Sequence, residues 1–218
     1  MNRIRSTTRV LRLAVDGIPA KARLELAASP RFVFVRDGDA IVRCAGSAAS
    51  LGAGSGSQST QPCSIEGGAG GATLLRWELV EVGTPAWGVE HSSELIAREV
   101  RLPEPGGYLM RADRVDFPLG GIAYTHTHRG PGIRCLLRGS IRVEAAGEVH
   151  EVNPGGAWFE SGPDPVLATA SSRELTGFAR VMILPLDLKG RSSISYVNPA
   201  DADKPKTQKY QVFADEPI

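Results

Sequence analysis

The feature that most limits what this chain can become is its punctuation: short apolar and β-branched runs are cut repeatedly by glycine and proline. RFVFVRDG (31–38), DAIVRCAG (39–46), ATLLRWELVEV (72–82), SELIAREVRL (93–102), IAYTHTH (122–128), IRCLLRG (133–139), SIRVEAAG (140–147) and FARVMILPL (178–186) each suit a strand, and 25 glycines and 15 prolines are spread through the chain. Many short strands with frequent turn residues and almost no helical periodicity predict an all-β sandwich or barrel. At 218 residues with 42% hydrophobic content, the chain is long enough to bury one large core or two small ones.

An internal repeat decides between one core and two. Setting DGDAIVRCAG (37–46) above RGSIRVEAAG (138–147) places Gly38 on Gly139, Val42 on Val143, Ala45 on Ala146 and Gly46 on Gly147. Each copy then ends in a similar strand, LLRWELV (74–80) against FARVMIL (178–184). The Gly/Ser/Ala tract 45–72 therefore reads as a long strand connection inside the first copy, not as an interdomain linker. The expected division is a barrel over 1–88, a second barrel over 89–190, joined near Pro85 to Val89, and a C-terminal extension over 191–218.

Composition removes several classes of partner. The formal net charge is +1, and only Lys204, Lys206 and Lys209 cluster, so the basic stripe of a nucleic-acid-binding protein is missing. No apolar run approaches the ~20 residues that span a bilayer, and MNRIRSTTRVLRLAVDGIPA is too broken for a signal peptide, so no membrane partner and a cytoplasmic location are expected. Cys44, Cys63 and Cys135 are odd in number and lack C-x-x-C spacing, which predicts reduced core thiols without an intrachain disulfide.

The chemistry gathers in YTHTHRGPGIRCLLRG (124–139). Side chains two apart on a strand share a face about 6.6 Å from one another, so His126 and His128 are placed to close on one ion. Tyr124, Arg134 and Trp158 share the parity expected of an inward face, and Glu160 faces the same cavity from across it.

These residues resemble the cupins. Gly120, five residues, His126-Thr-His128, three residues, position 132 and, six residues later, Gly139 reproduce the frame of that family's first motif. NPGGAWFESGPDPVLAT (153–169) is similar to the second, with Gly162 in its Pro-x-Gly position. The likeness covers about residues 90–187 and extends faintly over 9–83, so the whole resembles a bicupin built from two tandem jelly-roll barrels.

The departures bear on mechanism. Gly132 stands where the family has a glutamate ligand and Pro165 where it has the last histidine. In the first copy Glu25 and Ala27 occupy the positions of the His pair, which makes that half a degenerate barrel kept for packing. Glu160 is either a third ligand, giving a 2-His-1-carboxylate site for Zn, Fe, Mn or Ni, or the ion-pair partner of Arg134. A dication about 6 Å from that arginine would be repelled by roughly 5 kcal/mol at an effective dielectric of ~20.

Three functional readings follow. The preferred one is a small-molecule binding protein whose pocket, formed by Tyr124, His126, His128, Arg134, Trp158 and Glu160, takes an anionic or carboxylate-bearing ligand. The second is a metal-dependent enzyme, a dioxygenase or isomerase, with the ion on His126, His128 and Glu160. The third is a structural protein with a vestigial pocket. Tyr210, Val212 and Phe213 in the tail are expected to anchor it across the barrel or against a partner subunit, as in a homodimer.

Overall fold

The computed structural model describes residues 5–85, 91–104 and 106–218. Past Pro85, the expected junction lies outside the described residues. The chain is all-β and divides into two units, with the change at residues 105/106.

The N-terminal unit holds β1 (Arg5–Ile18), β2 (Arg23–Leu26), β3 (Arg31–Cys44), β4 (Ser47–Gly52), β5 (Gly56–Ser59), β6 (Cys63–Glu81) and β7 (Ser92–Glu104). They form one sheet in the order β4-β3-β6-β1-β7, with β2 added on β6 and β5 on β3. Two long strands close it into a barrel by changing face partway. In β3 the irregularities between Val35 and Asp37 and between Gly38 and Ala40 shift the side-chain parity, so Val33, Val35, Ala40 and Val42 all reach one core with Ile65 and Leu74. Gly38 sits at the bend with φ +78°, and a Cβ there would collide with Gly71 O.

Three expectations need correction here. The tract 45–72 lies inside the N-terminal unit as expected, but it is strand-rich, carrying β4, β5 and the start of β6. The boundary falls at 105/106 instead of 88/89 because β7 pairs with β1 over almost its whole length, from Arg5↔Glu104 to Asp16↔Ser92. Cys44 and Cys63 are joined by a disulfide, since β3–β6 pairing sets them directly opposite each other; Cys135 is a buried free thiol. Spacing rules are blind to that pairing, which spans 19 positions of chain.

The C-terminal unit holds β8 (Tyr108–Phe117), β9 (Ile122–His128), β10 (Gly132–Arg138), β11 (Ile141–Ala145), β12 (Glu148–Val152), β13 (Ala157–Glu160), β14 (Val166–Ala170), β15 (Thr176–Pro185), β16 (Ile194–Tyr196) and β17 (Lys209–Pro217). Two five-stranded sheets, β13-β10-β15-β8-β17 and β12-β11-β14-β9-β16, form a jelly roll. Val115, Leu136, Ile141, Val143, Trp158 and Phe178 fill one end of the barrel. The tail 191–218 is no appendage: β16 pairs with β9 and β17 with β8.

The two barrels repeat their turns at a spacing of 101 positions. Ala45-Gly46 (φ +48°, +80°) and Ala146-Gly147 (φ +52°, +81°) make matching two-residue hairpins, and Gly38 and Gly139 make matching bends (φ +78°, +73°). Val35 N–H donates to Ser55 O at 2.9 Å and Gly54 N–H to Val35 O at 2.8 Å. The counterparts Leu136→Gly156 and Gly155→Leu136 have the same lengths. The alignment drawn from the sequence is thus the alignment of the hydrogen bonds.

Candidate functional site

β9 pairs with β16 in regular register from His126 to His128, so period-2 alternation puts both imidazoles on one face. Both are buried, with ring centroids 4.9 Å apart and planes nearly perpendicular. His128 N–H donates to Gly162 O at 2.7 Å. Gly162, at φ +105°, presses on the Gly130 backbone where a Cβ would not fit. That close approach pins the end of β9 against the turn that follows Glu160, and so brings the carboxylate to the histidines.

Each imidazole is anchored through Nδ1. His126 Nδ1 lies 2.7 Å from Tyr124 O, and a carbonyl only accepts, so Nδ1 carries the proton and Nε2 keeps its lone pair. His128 Nδ1 lies 3.0 Å from Ser193 Oγ. His128 Nε2 is buried without a hydrogen-bond partner, with Glu160 Oε2 3.9 Å away. Ligand atoms of His126, His128 and Glu160 all lie within 4.8 Å of one another.

Glu160 has two further neighbours. Trp158 Nε1–H donates to Oε1 at 3.0 Å, and Arg134 Nη2 lies 2.5 Å from Oε2 as a buried ion pair. Arg134 also folds back on its own strand, donating from Nη1 to Gly132 O at 2.8 Å. The space a Gly132 side chain would need is taken by Met182, Val181 O and the Arg134 guanidinium. Glycine at position 132 therefore makes room for an internal cation.

Register extends this row across the sheet: Asp113 opposes Arg180, Arg180 opposes Arg134, and Arg134 opposes Trp158, all facing the barrel interior. Arg180 is held by Asp113 through two contacts of 2.7 and 3.0 Å. Burial, above all, pushes both histidines below their ordinary range, and for His128 the charges of Arg134 and Arg180 add to it. Burial likewise lowers the Arg134 guanidinium to about 10, while for Arg180 the Asp113 carboxylate outweighs burial and raises it. Both imidazoles are thus neutral at pH 7, the form that ligates a metal.

A cavity of about 570 Å³ lies in this unit, lined by Arg111, Asp113, Arg180, Ser193, Tyr196 and Tyr210 among others. None of the six residues expected to line a ligand pocket borders it. His126, His128, Arg134, Trp158 and Glu160 form the buried cluster instead. Tyr124 contributes its carbonyl, its ring being covered by Lys204 Nζ at 4.4 Å. Arg180, Asp113 and Ser193 escaped the sequence reading. Alternation in FARVMIL, which turns Arg180 inward between Phe178 and Met182, was the signal for the first.

The donor set fits a divalent ion on one count: His128 Nε2, buried without a hydrogen-bond partner, faces a Glu160 carboxylate oxygen at 3.9 Å. Arg134 works against it, since its charge already sits on that oxygen.

No family model and no curated protein sequence matches the chain. Solved structures do. A deletion mutant of the Bacillus subtilis oxalate decarboxylase OxdC is 12% identical with a TM-score of 0.63, covering 95% of this chain and 80% of that one. Salicylate 1,2-dioxygenase from Pseudaminobacter salicylatoxidans is 8% identical with a TM-score of 0.58, covering 97% and 81%. AerE from Microcystis aeruginosa is 12% identical with a TM-score of 0.61, covering 81% and 88%. At these identities the likeness is one of fold, and the fold is that of two tandem cupin-type jelly-roll barrels.

Proposed function

We propose that the C-terminal barrel binds a small carboxylate-bearing molecule at a divalent ion held by His126, His128 and Glu160. One observation carries this reading: His128 Nε2, buried and without a hydrogen-bond partner, faces Glu160 Oε2 across 3.9 Å. An unsatisfied buried polar atom costs about 1–3 kcal/mol, which coordination would offset. The Nδ1 anchors on Tyr124 O and Ser193 Oγ support it, because a ligating histidine is oriented through its other ring nitrogen. A bound ion would polarise an oxygen of the ligand as a Lewis acid.

The chain's own groups do the rest. The neighbouring cavity, joined to the ion site through Ser193 on His128, is lined by Arg111 and Arg180, each held by an aspartate, and by the flat apolar walls of Tyr196 and Tyr210. Two of the similar structures are, by name, enzymes acting on oxalate and on salicylate, both carboxylates, which agrees with that lining. Dioxygenase or isomerase activity is the enzymatic form of the same reading.

A second reading is favoured by a different contact. Arg134 Nη2, 2.5 Å from Glu160 Oε2, gives the carboxylate a cation already, and the barrel is then an anion pocket without a metal. Elemental analysis of untagged protein separates the two. The first requires Zn, Fe, Mn or Ni at about one ion per chain, lost in His126→Ala and in Glu160→Ala. Metal-free wild type, with histidine ring resonances unmoved by added Zn(II), Mn(II) or Fe(II), establishes the second. Tight metal binding unaffected by His126→Ala defeats the site altogether.

A further inference from the structure

The histidine site is closed off. His126, His128 and Glu160 are 6%, 4% and 7% exposed, and none of the three borders the cavity of this unit. A buried site needs an entry path for whatever occupies it.

Register makes β16 the partition between site and cavity. Ile194 opposes His128 and Tyr196 opposes His126 across β9–β16, and directly opposed residues of an antiparallel pair share a face. Ile194 and Tyr196 therefore flank the imidazoles, and both also border the cavity. Ser193 does the same, with its Oγ 3.0 Å from His128 Nδ1 and a place in the cavity wall. Moving β16 aside would join the two spaces.

That partition is lightly held. Among the described residues 189–208 only Ser193 and Asp201 are buried, and neither is apolar. β16 is an edge strand of three residues, extended by Val197 N–H donating to Thr125 O at 3.0 Å. Segments that bury little apolar surface and rest on exposed hydrogen bonds open at a low cost in free energy.

Two lysines clasp the loop that follows β16. Lys206 Nζ donates to Asp201 O at 2.9 Å and to Ala202 O and Lys204 O at 2.6 Å, and it lies 4.7 Å from the centre of the Tyr196 ring. Lys204 Nζ lies 2.6 Å from Asp201 Oδ1 and 4.4 Å from the centre of the Tyr124 ring. An ammonium is attracted to the face of an aromatic ring. The clasp thus ties the loop to one tyrosine on β16 and one on β9.

We propose that residues 191–206 form a gate: β16 leaves the edge of β9 to admit the ion and its ligand from the cavity to His126, His128 and Glu160, and Lys206 latches it shut. What passes the gate rests on the reading of the histidines as an ion site. The gate itself rests on register and burial.

The test ties the gate and unlatches it. Thr127 and Ser195 are opposed in register on the face away from the imidazoles, within the Cα separation a disulfide spans. Thr127→Cys with Ser195→Cys, oxidised, holds β16 on β9, and Lys206→Met keeps an apolar stem while removing the charge. Zinc(II) uptake by the apo full chain, and its release to excess chelator, are timed in wild type and both variants. Oxidising the tie is expected to slow both rates at least about tenfold with affinity unchanged, and reductant to restore them. Wild type given the same reductant controls for Cys44–Cys63. Lys206→Met should hasten release about tenfold. A tie that raises the unfolding midpoint but leaves both rates alone overturns the gate. Wild type that takes up no zinc(II) defeats the ion-site reading, and the gate is then read from modification of His126 and His128 by diethyl pyrocarbonate in the same proteins. The tie should slow that reaction and Lys206→Met hasten it; equal rates in all three overturn the gate. The variants act in opposite directions, so if one fails to fold the other decides.

Discussion

Arg134 and Glu160 meet inside the C-terminal barrel with Nη2 and Oε2 2.5 Å apart and side chains only 1% and 7% exposed. Removing either partner strands the other's charge in a low-dielectric interior. Arg134→Met or Glu160→Met alone should therefore cost about 3–5 kcal/mol, and the double variant much less than the sum. Urea denaturation of the four proteins measures the coupling. Additive losses would mean that the pair is not an energetic unit.

Metal content discriminates what Glu160 does beyond that pairing. Glu160→Gln keeps the Trp158 contact and the volume but removes the charge. As a ligand, Glu160 should lose bound metal about 10–100-fold on this change. As a counter-ion alone, it should lose stability and anion affinity while metal content stays as in wild type.

Acid should destabilise the fold through the histidines before it reaches the carboxylates. His126 and His128 are lowered mainly by burial, so the unfolded chain, with imidazoles near 6.5, binds more protons than the folded one once the pH drops below that value. The contribution is complete above about pH 6.5 and is lost as the pH falls, by about 1.4 kcal/mol per pH unit for each imidazole kept neutral. Denaturation midpoints at about pH 7.5 and about pH 5.5 should show it, and His128→Gln should flatten the slope. Asp215, lowered by Arg111 against the effect of burial, adds to the loss only in the ordinary carboxylate range.

What could be read from the sequence was what depends on near neighbours. The shared face of His126 and His128 follows from regular pairing over those three residues, and the Gly38/Gly139 and Ala45-Gly46/Ala146-Gly147 matches follow from turns that need left-handed backbone. What escaped depends on partners chosen far along the chain. Cys44 meets Cys63 because β3 pairs with β6, β7 joins the first barrel because it pairs with β1, and residues 209–217 become a strand on β8. Asp113 and Arg180 look like surface charges until register sets them opposite each other and beside Arg134. Irregularities in β3 leave the parity reversed between Val35 and Ala40, so counting from one end misplaces the other.

The disulfide makes its own claim. Closing a loop between Cys44 and Cys63, 19 positions apart, should be worth about 3 kcal/mol by restriction of the unfolded chain. Protein purified without reductant should be two hydrogen atoms lighter than its sequence mass, and reduction should lower its denaturation midpoint. Three free thiols under those conditions would count against the bond.

Ser193 offers the most selective probe of the histidine site. Its Oγ, 3.0 Å from His128 Nδ1, is contributed by the segment leading into β16 and also borders the cavity. Ser193→Ala removes that anchor without touching a donor atom of the His126, His128, Glu160 set. If His128 ligates through Nε2, freeing Nδ1 lets the ring turn away, and metal affinity should fall about 10–100-fold while the unfolding midpoint of the apo protein changes little. A competition titration against a chelator of known affinity reads the first quantity, and urea denaturation the second. Unchanged affinity would show that Ser193 does not orient the ring. A large loss of apo stability would make the hydrogen bond a support of the fold and leave the orientation of His128 to strand alternation alone.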